Sequence, residues 1–191
     1  MTDDVLVLVE GESDAAVVRV LAAARGTTDV PILSTGGAMG ARRALARLDH
    51  RPAAVLALCD EREAGYLIRA STGERDVVFV CRADLEDELI RALGVERALE
   101  VLAATGDLRA FHTLQAQPEH RDRTLERQLH RFLEAGSGRK ARIGAAFAAA
   151  IPPGAEPPPL RALLDHFSRI RPDPRHAEAS GHSDGGSPDP S

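Results

Sequence analysis

Three short acidic stretches carry the chemistry this sequence could perform. An apolar run at residues 5–9 stops on Glu10, and Asp14 follows four positions later. A second apolar run ends at Cys59 and is followed by Asp60, Glu61 and Glu63. A third, at 77–80, is followed by Asp84, Glu86, Asp87 and Glu88. Carboxylates crowded at one place repel one another unless a cation sits between them. Oxygen ligands without His or Cys favour Mg²⁺ or Mn²⁺. Such ions serve phosphate chemistry: they polarise phosphoryl oxygens, activate a water and stabilise a leaving oxygen, in pairs about 3.5–4 Å apart. A single acid at a helix start has a plainer use, since it caps free N–H groups and complements the helix dipole. Glu12, Glu61 and Asp87 are read in that way. Glu10, Asp60 and the Asp84/Glu86 pair are read together as a metal site.

The basic residues are lopsided. Of 24 Lys and Arg, only Lys140 is lysine. Lysine offers a compact charge and a proton it can release when its surroundings shift its pKa, which arginine does not. Beside a scissile phosphate it could neutralise developing charge or protonate the leaving oxygen. It follows Gly136, Ser137 and Gly138 at a helix start, a place suited to phosphate. The plain alternative is a solvated surface lysine. The stretch from 119 to 142 is rich in Arg and His. Arg127, Arg131, Arg139 and Arg142 are candidates for contacts with a nucleic-acid backbone. The alternative there is a solvated helix face held by i,i+4 ion pairs. Arg42 and Arg43, beside a glycine-rich loop, could help to hold a strand.

These residues need elements to position them. The β-branched runs at 5–9, 30–33, 53–58 and 77–80 are too continuous for a half-exposed sheet and predict parallel strands covered on both faces. Helical spacing between them, at 13–25, 39–49, 61–70 and 86–93, completes a βαβαβαβα order. Ser13 is the expected N-cap of the first helix. The fold class is therefore α/β, a small doubly wound parallel four-stranded sheet over residues 1–93. Ligands of such sheets bind at the carboxyl ends of the strands, where the acids lie. The second strand contributes "STGGAMG", a near-neutral loop read as flexible. Residues 94–170 predict an α-helical extension packed on the sheet, with helices at 95–105, 123–134, 140–151 and 160–167 and a proline-rich break at 152–159. The composition of 171–191 predicts a disordered tail, and its His176 and His182 are too sparse for a metal site.

"LVEGESD", "ALCDERE", "DLEDELI" and "SGRK", in that order, resemble the Toprim domain, most closely that of the OLD (overcoming lysogenization defect) family of nucleases. The likeness runs over residues 4–168. It implies a divalent-metal-dependent nuclease acting on DNA phosphodiesters, with Mg²⁺ or Mn²⁺, as two ions. Carried onto this chain, Glu10 and Asp14 become metal ligands and Asp60 the central ligand. Arg62 stands where the family has the second Asp of a DxD motif, and Glu63 is its implied substitute. Glu86 matches the acid after the fourth strand, with Asp84 or Glu88 as auxiliaries. Lys140 matches a functional lysine and, with Glu10, is the implied catalytic group. OLD proteins also carry an ATPase domain. No GxxxxGK[ST] occurs here, so an ATPase subunit acting in trans is an implied partner.

Two further readings compete. One is a non-catalytic Toprim-like module that binds nucleic acid or a partner ATPase. The other is a receiver domain, which needs a fifth strand ending in lysine. The formal charge of −5 excludes a protein that coats nucleic acid through bulk basicity. No apolar stretch is long enough for a membrane span, so no membrane association is expected. Cys59 and Cys81 are read as buried free thiols of a cytoplasmic protein.

Overall fold

The computed structural model describes residues 5–37, 40–135 and 138–170. Four parallel strands form one sheet in the order β2-β1-β3-β4, with β1 at Val5–Val9, β2 at Ile32–Ser34, β3 at Ala54–Asp60 and β4 at Val77–Cys81. The central strands are apolar up to Asp60 at the end of β3 because both of their faces are covered. Val5, Val7, Val9, Leu56 and Leu58 point into one core cluster, and Leu8, Val55, Ala57 and Cys59 into another. Cys81 belongs to the first cluster and Cys59 to the second, so the two thiols lie on opposite faces and are free.

Helices α1 (Glu12–Ala24), α2 (Ala41–Leu45), α3 (Ala64–Ala70) and α4 (Leu85–Leu93) each follow a strand. α2 and α3 line the smaller cluster, while α1 and α4 line the larger. The extension consists of α5 (Val95–Ala104), α6 (Leu108–Gln115), α7 (Pro118–Arg121), α8 (Leu125–Glu134), α9 (Arg139–Ala150) and α10 (Pro158–Ile170). Its apolar residues, among them Phe111, Phe132, Phe147 and Phe167, join the larger cluster, so extension and sheet share one continuous core. α9 lies directly on α1, and a Cβ at Gly144 would stand 3.4 Å from Val17 Cγ2. Arg25, at the end of α1, reaches the buried Glu156 at 2.8 Å and ties the α9–α10 connection to the first helix.

Several boundaries differ from the sequence expectation. The first helix is capped by Gly11 rather than Ser13, because Asp14 reaches back to accept the Gly11 N–H at 3.0 Å. The second strand starts two residues later and ends one residue later than expected. α2 spans Ala41–Leu45 only, and the expected start at Met39 lies outside the described residues. α3 begins at Ala64 because residues 61–63 form a turn in which Glu63 N–H bonds the Asp60 carbonyl at 3.0 Å. α6 and α7 had no counterpart in the expectation. The receiver alternative fails, since after β4 the described residues form helices alone. The tail from 171 onward lies outside the described residues.

Candidate metal and phosphate site

Parallel pairing brings the ends of β1, β3 and β4 to the same edge of the sheet. Glu10 follows β1 directly, and the glycine loop after β2 braces it. Gly36 and Gly37 donate their N–H groups to the Glu10 carbonyl at 2.9 and 3.2 Å. They reach it with φ of 69° and 110°, left-handed values that glycine adopts without strain. Gly40 closes the loop onto the Gly37 carbonyl at 2.8 Å, where a Cβ would lie 2.2 Å from the Thr35 carbonyl oxygen. "STGG" thus holds Glu10 by its backbone carbonyl, and the carboxylate meets Glu63 instead. The sequence reading missed this role, although the glycine spacing carried the signal.

β3 delivers Asp60, and the turn after it sorts the next three residues. Glu61 and Arg62 are exposed, whereas Glu63 turns inward, and its Oε2 is buried without a hydrogen-bond partner. Glu63 lies against Glu10. Burial, the hydrogen bond to Glu63 and the Glu63 charge push the Glu10 carboxyl up to about 7, against the pull of Lys140. Asp60 is also pushed up to about 7, first by burial and then by the charges of Asp84, Glu10, Asp14 and Glu86. Asp14 is raised by burial, although its bond from Gly11 opposes this.

After β4 the backbone passes through Ala83, the one non-glycine residue with positive φ (70°) among those described. This turn aims Asp84 at the N-terminus of α4. Asp84 Oδ1 accepts the Asp87 N–H at 2.8 Å, and Oδ2 lies 2.6 Å from His130 Nε2 on α8. Burial would raise the Asp84 carboxyl, but the His130 bond and the Asp87 N–H hold it below its ordinary value. The same bond raises the His130 pKa. Glu86 is 3% exposed and meets Lys140 Nζ at 3.1 Å. Its pKa is raised by burial in spite of that partner. Lys140 holds its proton more firmly than usual. Burial works against its charge, but Glu86, Asp14 and Asp60 outweigh burial. Glu88 turns elsewhere: Oε1 accepts the Arg82 N–H at 2.8 Å and pairs with Arg91 at 2.9 Å.

Glu10, Asp14, Asp60, Glu63, Asp84 and Glu86 therefore share one edge, with Lys140 among them, and the carboxyls of Glu10, Asp14, Asp60 and Glu86 are all raised, first by burial. No group of three His, Cys, Asp or Glu side chains among the described residues is drawn close enough to hold a metal ion as it stands. The donor set nonetheless suits a hard divalent cation. It is all oxygen, it is short of positive charge, and one buried oxygen, Glu63 Oε2, is unpartnered.

This architecture has known counterparts. The C-terminal region of the Burkholderia pseudomallei OLD protein matches 89% of this chain and 100% of its own, with TM-score 0.60 and 16% identity. The C-terminal region of the Xanthomonas campestris pv. campestris OLD protein matches 89% of this chain and 97% of its own, with TM-score 0.60 and 20% identity. The chain has the Toprim-type fold of the OLD C-terminal region. No protein-family model matches the sequence, and no curated protein does.

Within this OLD-type fold the candidate arginines divide. Arg127 and Arg131 are exposed on α8, Arg131 with Glu134 3.8 Å away. Arg139 stacks its guanidinium 4.3 Å from the Phe132 ring centroid and bonds the Phe132 and Ala135 carbonyls. Arg142 forms a two-pronged pair with Asp107, both bonds at 2.8 Å. Arg139 and Arg142 thus hold the helical extension together. In the sequence His130 counted only as part of the basic stretch 119–142, and its pairing with Asp84 was missed. Its partner lies 46 positions away, and only the folded chain joins them.

Proposed function

We propose that the chain is a divalent-metal-dependent nuclease module of OLD Toprim type that hydrolyses DNA phosphodiester bonds. The observation that supports it most is the meeting of acids from three strand ends with the single lysine of the chain at one edge. Glu10, Asp14, Asp60, Glu63 and Glu86 would hold Mg²⁺ or Mn²⁺, two ions in the fullest form of the reading. Asp84 and Glu88 are left out of this set because both Asp84 oxygens are engaged, by the Asp87 N–H and His130, and Glu88 Oε1 is held by the Arg82 N–H and Arg91. When bound, such ions supply charge neutralisation at the phosphate and a more acidic water. The chain's own groups do the rest. Glu10, with a carboxyl near 7, is poised to accept a proton from an attacking water at neutral pH. Lys140, held on Glu86, presents a protonated ammonium to the negative charge that develops on the phosphate and leaving oxygen. Arg127 and Arg131, exposed on α8 with only Glu134 3.8 Å from Arg131, would track the backbone of the strand.

Incubation of supercoiled and linear DNA with Mg²⁺, Mn²⁺, Ca²⁺ or EDTA tests the reading. Nicking or shortening is expected with Mg²⁺ or Mn²⁺ and none in EDTA, and Asp60→Asn should abolish it. A second reading, a non-catalytic module that binds DNA or an ATPase in trans, is favoured by Arg62 at the place of the second Asp. Absence of cleavage with every ion would replace the first reading by the second. A cytoplasmic setting fits both. Cys59 and Cys81 are free and buried, the Cys59 thiol is pushed up to about 12 by burial, and the Cys81 thiol is likewise raised. No helix among the described residues is long and apolar enough to cross a membrane.

A further inference from the structure

At the opposite end of the sheet from the acids, three arginines line one cavity. Arg42 of α2, Arg51 just before β3, and Arg69 of α3 surround a space of about 230 Å³, with Thr72 at its side and Leu45 and Ala70 at its apolar wall. No acidic residue lines it. Arg51 is fixed in place by Asp76, which is 1% exposed and also accepts the N–H groups of Val55 at 3.0 Å and Gly73 at 2.8 Å. The Asp76 charge is thus spent inside the protein. Arg69 rests its guanidinium 5.1 Å from the Tyr66 ring centroid, a contact that orients it without neutralising it. Arg42 has no ion pair among the described residues. Two of the three guanidinium groups therefore keep an uncompensated charge, and all three residues line one concave surface.

The ordinary use of such arginines is to complement helix C-termini. Arg42 and Arg69 do lie in the last turns of α2 and α3. Those helices have only 5 and 7 residues, so their dipoles are small beside three full charges. A hydroxyl, from Thr72, adds a neutral donor of the kind that completes oxyanion sites.

We propose that this arginine-lined cleft binds a phosphate group. Its position gives it a role distinct from the acidic edge. β3 runs from the cleft side at Ala54 to Asp60 at the acids, six steps of about 3.3 Å, or roughly 20 Å. That span equals about six nucleotides of a duplex strand. A phosphate held here would anchor the strand well away from the acids, or the cleft would hold a free phosphate-bearing molecule.

Titration of the full chain with inorganic phosphate in EDTA, followed by ³¹P line width and calorimetry, tests the proposal without any cleavage. That separates it from the nuclease reading, which can fail while this one stands. The double variant Arg42→Ala/Arg69→Ala removes two exposed side chains that make no ion pair, so the fold is kept. Arg109→Ala, an exposed arginine on α6, serves as the control. Wild type and control should bind phosphate alike, with the double variant weaker by roughly tenfold or more. Displacement of the phosphate by a 12-nucleotide single strand identifies the polymer backbone as the source. Phosphate binding that the oligonucleotide leaves untouched supports the cleft with a free small anion as ligand. Equal phosphate affinity in the wild type and the double variant overturns the proposal, as does an absence of phosphate binding in the wild type.

Discussion

Replacing Asp60 by asparagine should make the protein more stable in EDTA and less responsive to metal. The folded chain holds the Asp60 carboxyl near 7 where the free side chain sits at 3.8, first through burial and then through Asp84, Glu10, Asp14 and Glu86. At about 1.4 kcal/mol per pH unit, that interval sets an upper bound of roughly 4 kcal/mol on the penalty of the ionised form above neutral pH, which solvent screening of this partly exposed carboxyl lowers. Asparagine removes the charge but still loses solvation, so the net gain is smaller, about 1–3 kcal/mol. For a chain of this size that is a rise in Tm of roughly 5 °C. The sign follows from the raised pKa. Below about pH 4 the acid is protonated in both states and the gain vanishes; it grows as pH rises toward 7 and is complete above it. Thermal melts in EDTA at pH 4 and pH 8 measure it. Saturating Mg²⁺ or Mn²⁺, at a hundredfold excess over its Kd, should then raise wild-type stability by about 2.7 kcal/mol and the variant by much less. A variant that melts below wild type at pH 8 in EDTA would refute the claim that these carboxylates repel one another at one edge.

Four further outcomes follow from the same geometry. Lys140→Arg should lower the single-turnover rate about 10²-fold at unchanged DNA affinity, because arginine keeps the charge but changes donor shape and placement at the developing negative charge; a wild-type rate makes Lys140 a mere partner of Glu86. Glu63→Ala should abolish metal-dependent cleavage while Arg62→Ala spares it, since Glu63 turns inward and Arg62 outward; cleavage unaffected by either change removes Glu63 from the ligand set. Ala83→Gly relieves a left-handed alanine and should raise the urea midpoint by about 1 kcal/mol of stability, where a loss would show that Ala83 contributes more by packing than it costs in strain. Glu156, with its carboxyl lowered to about 2 chiefly by the hydrogen bond from Arg25, stabilises the fold above about pH 4.5 and less as pH falls toward 2. Glu156→Gln should therefore cost about 3 kcal/mol at pH 7 and about 1 kcal/mol at pH 3, and urea titrations at both pH values check the slope.

The sheet was legible because each strand satisfies a local rule. A run such as Val5–Val9 can be apolar at every position only if both faces are covered, and that property is written residue by residue. The acids were legible for a related reason: a parallel sheet sends every strand end to one edge, so Glu10, Asp60 and Asp84 needed no knowledge of side-chain contacts to be grouped. What escaped was everything decided by backbone detail or by distance along the chain. The short turn at 61–63 sends Glu63 inward and Arg62 outward; the family resemblance pointed to Glu63, but spacing alone does not distinguish the two. Glycines 36, 37 and 40 look like slack, yet positive φ and one close carbonyl make them the brace of Glu10. The extension was readable as helices but not as partners. Asp84 meets His130 across 46 positions and Arg25 meets Glu156 across 131, and neither pair leaves a periodic trace. Those two contacts clamp α8 and the start of α10 to the α/β unit, while Gly144 seats α9 on α1. Together they set the end of α9 that carries Lys140 over Glu86. The lysine reaches the acids through the packing of four helices rather than through its own sequence neighbourhood. A loosened clamp should therefore disturb Lys140 as surely as a change at position 140 itself.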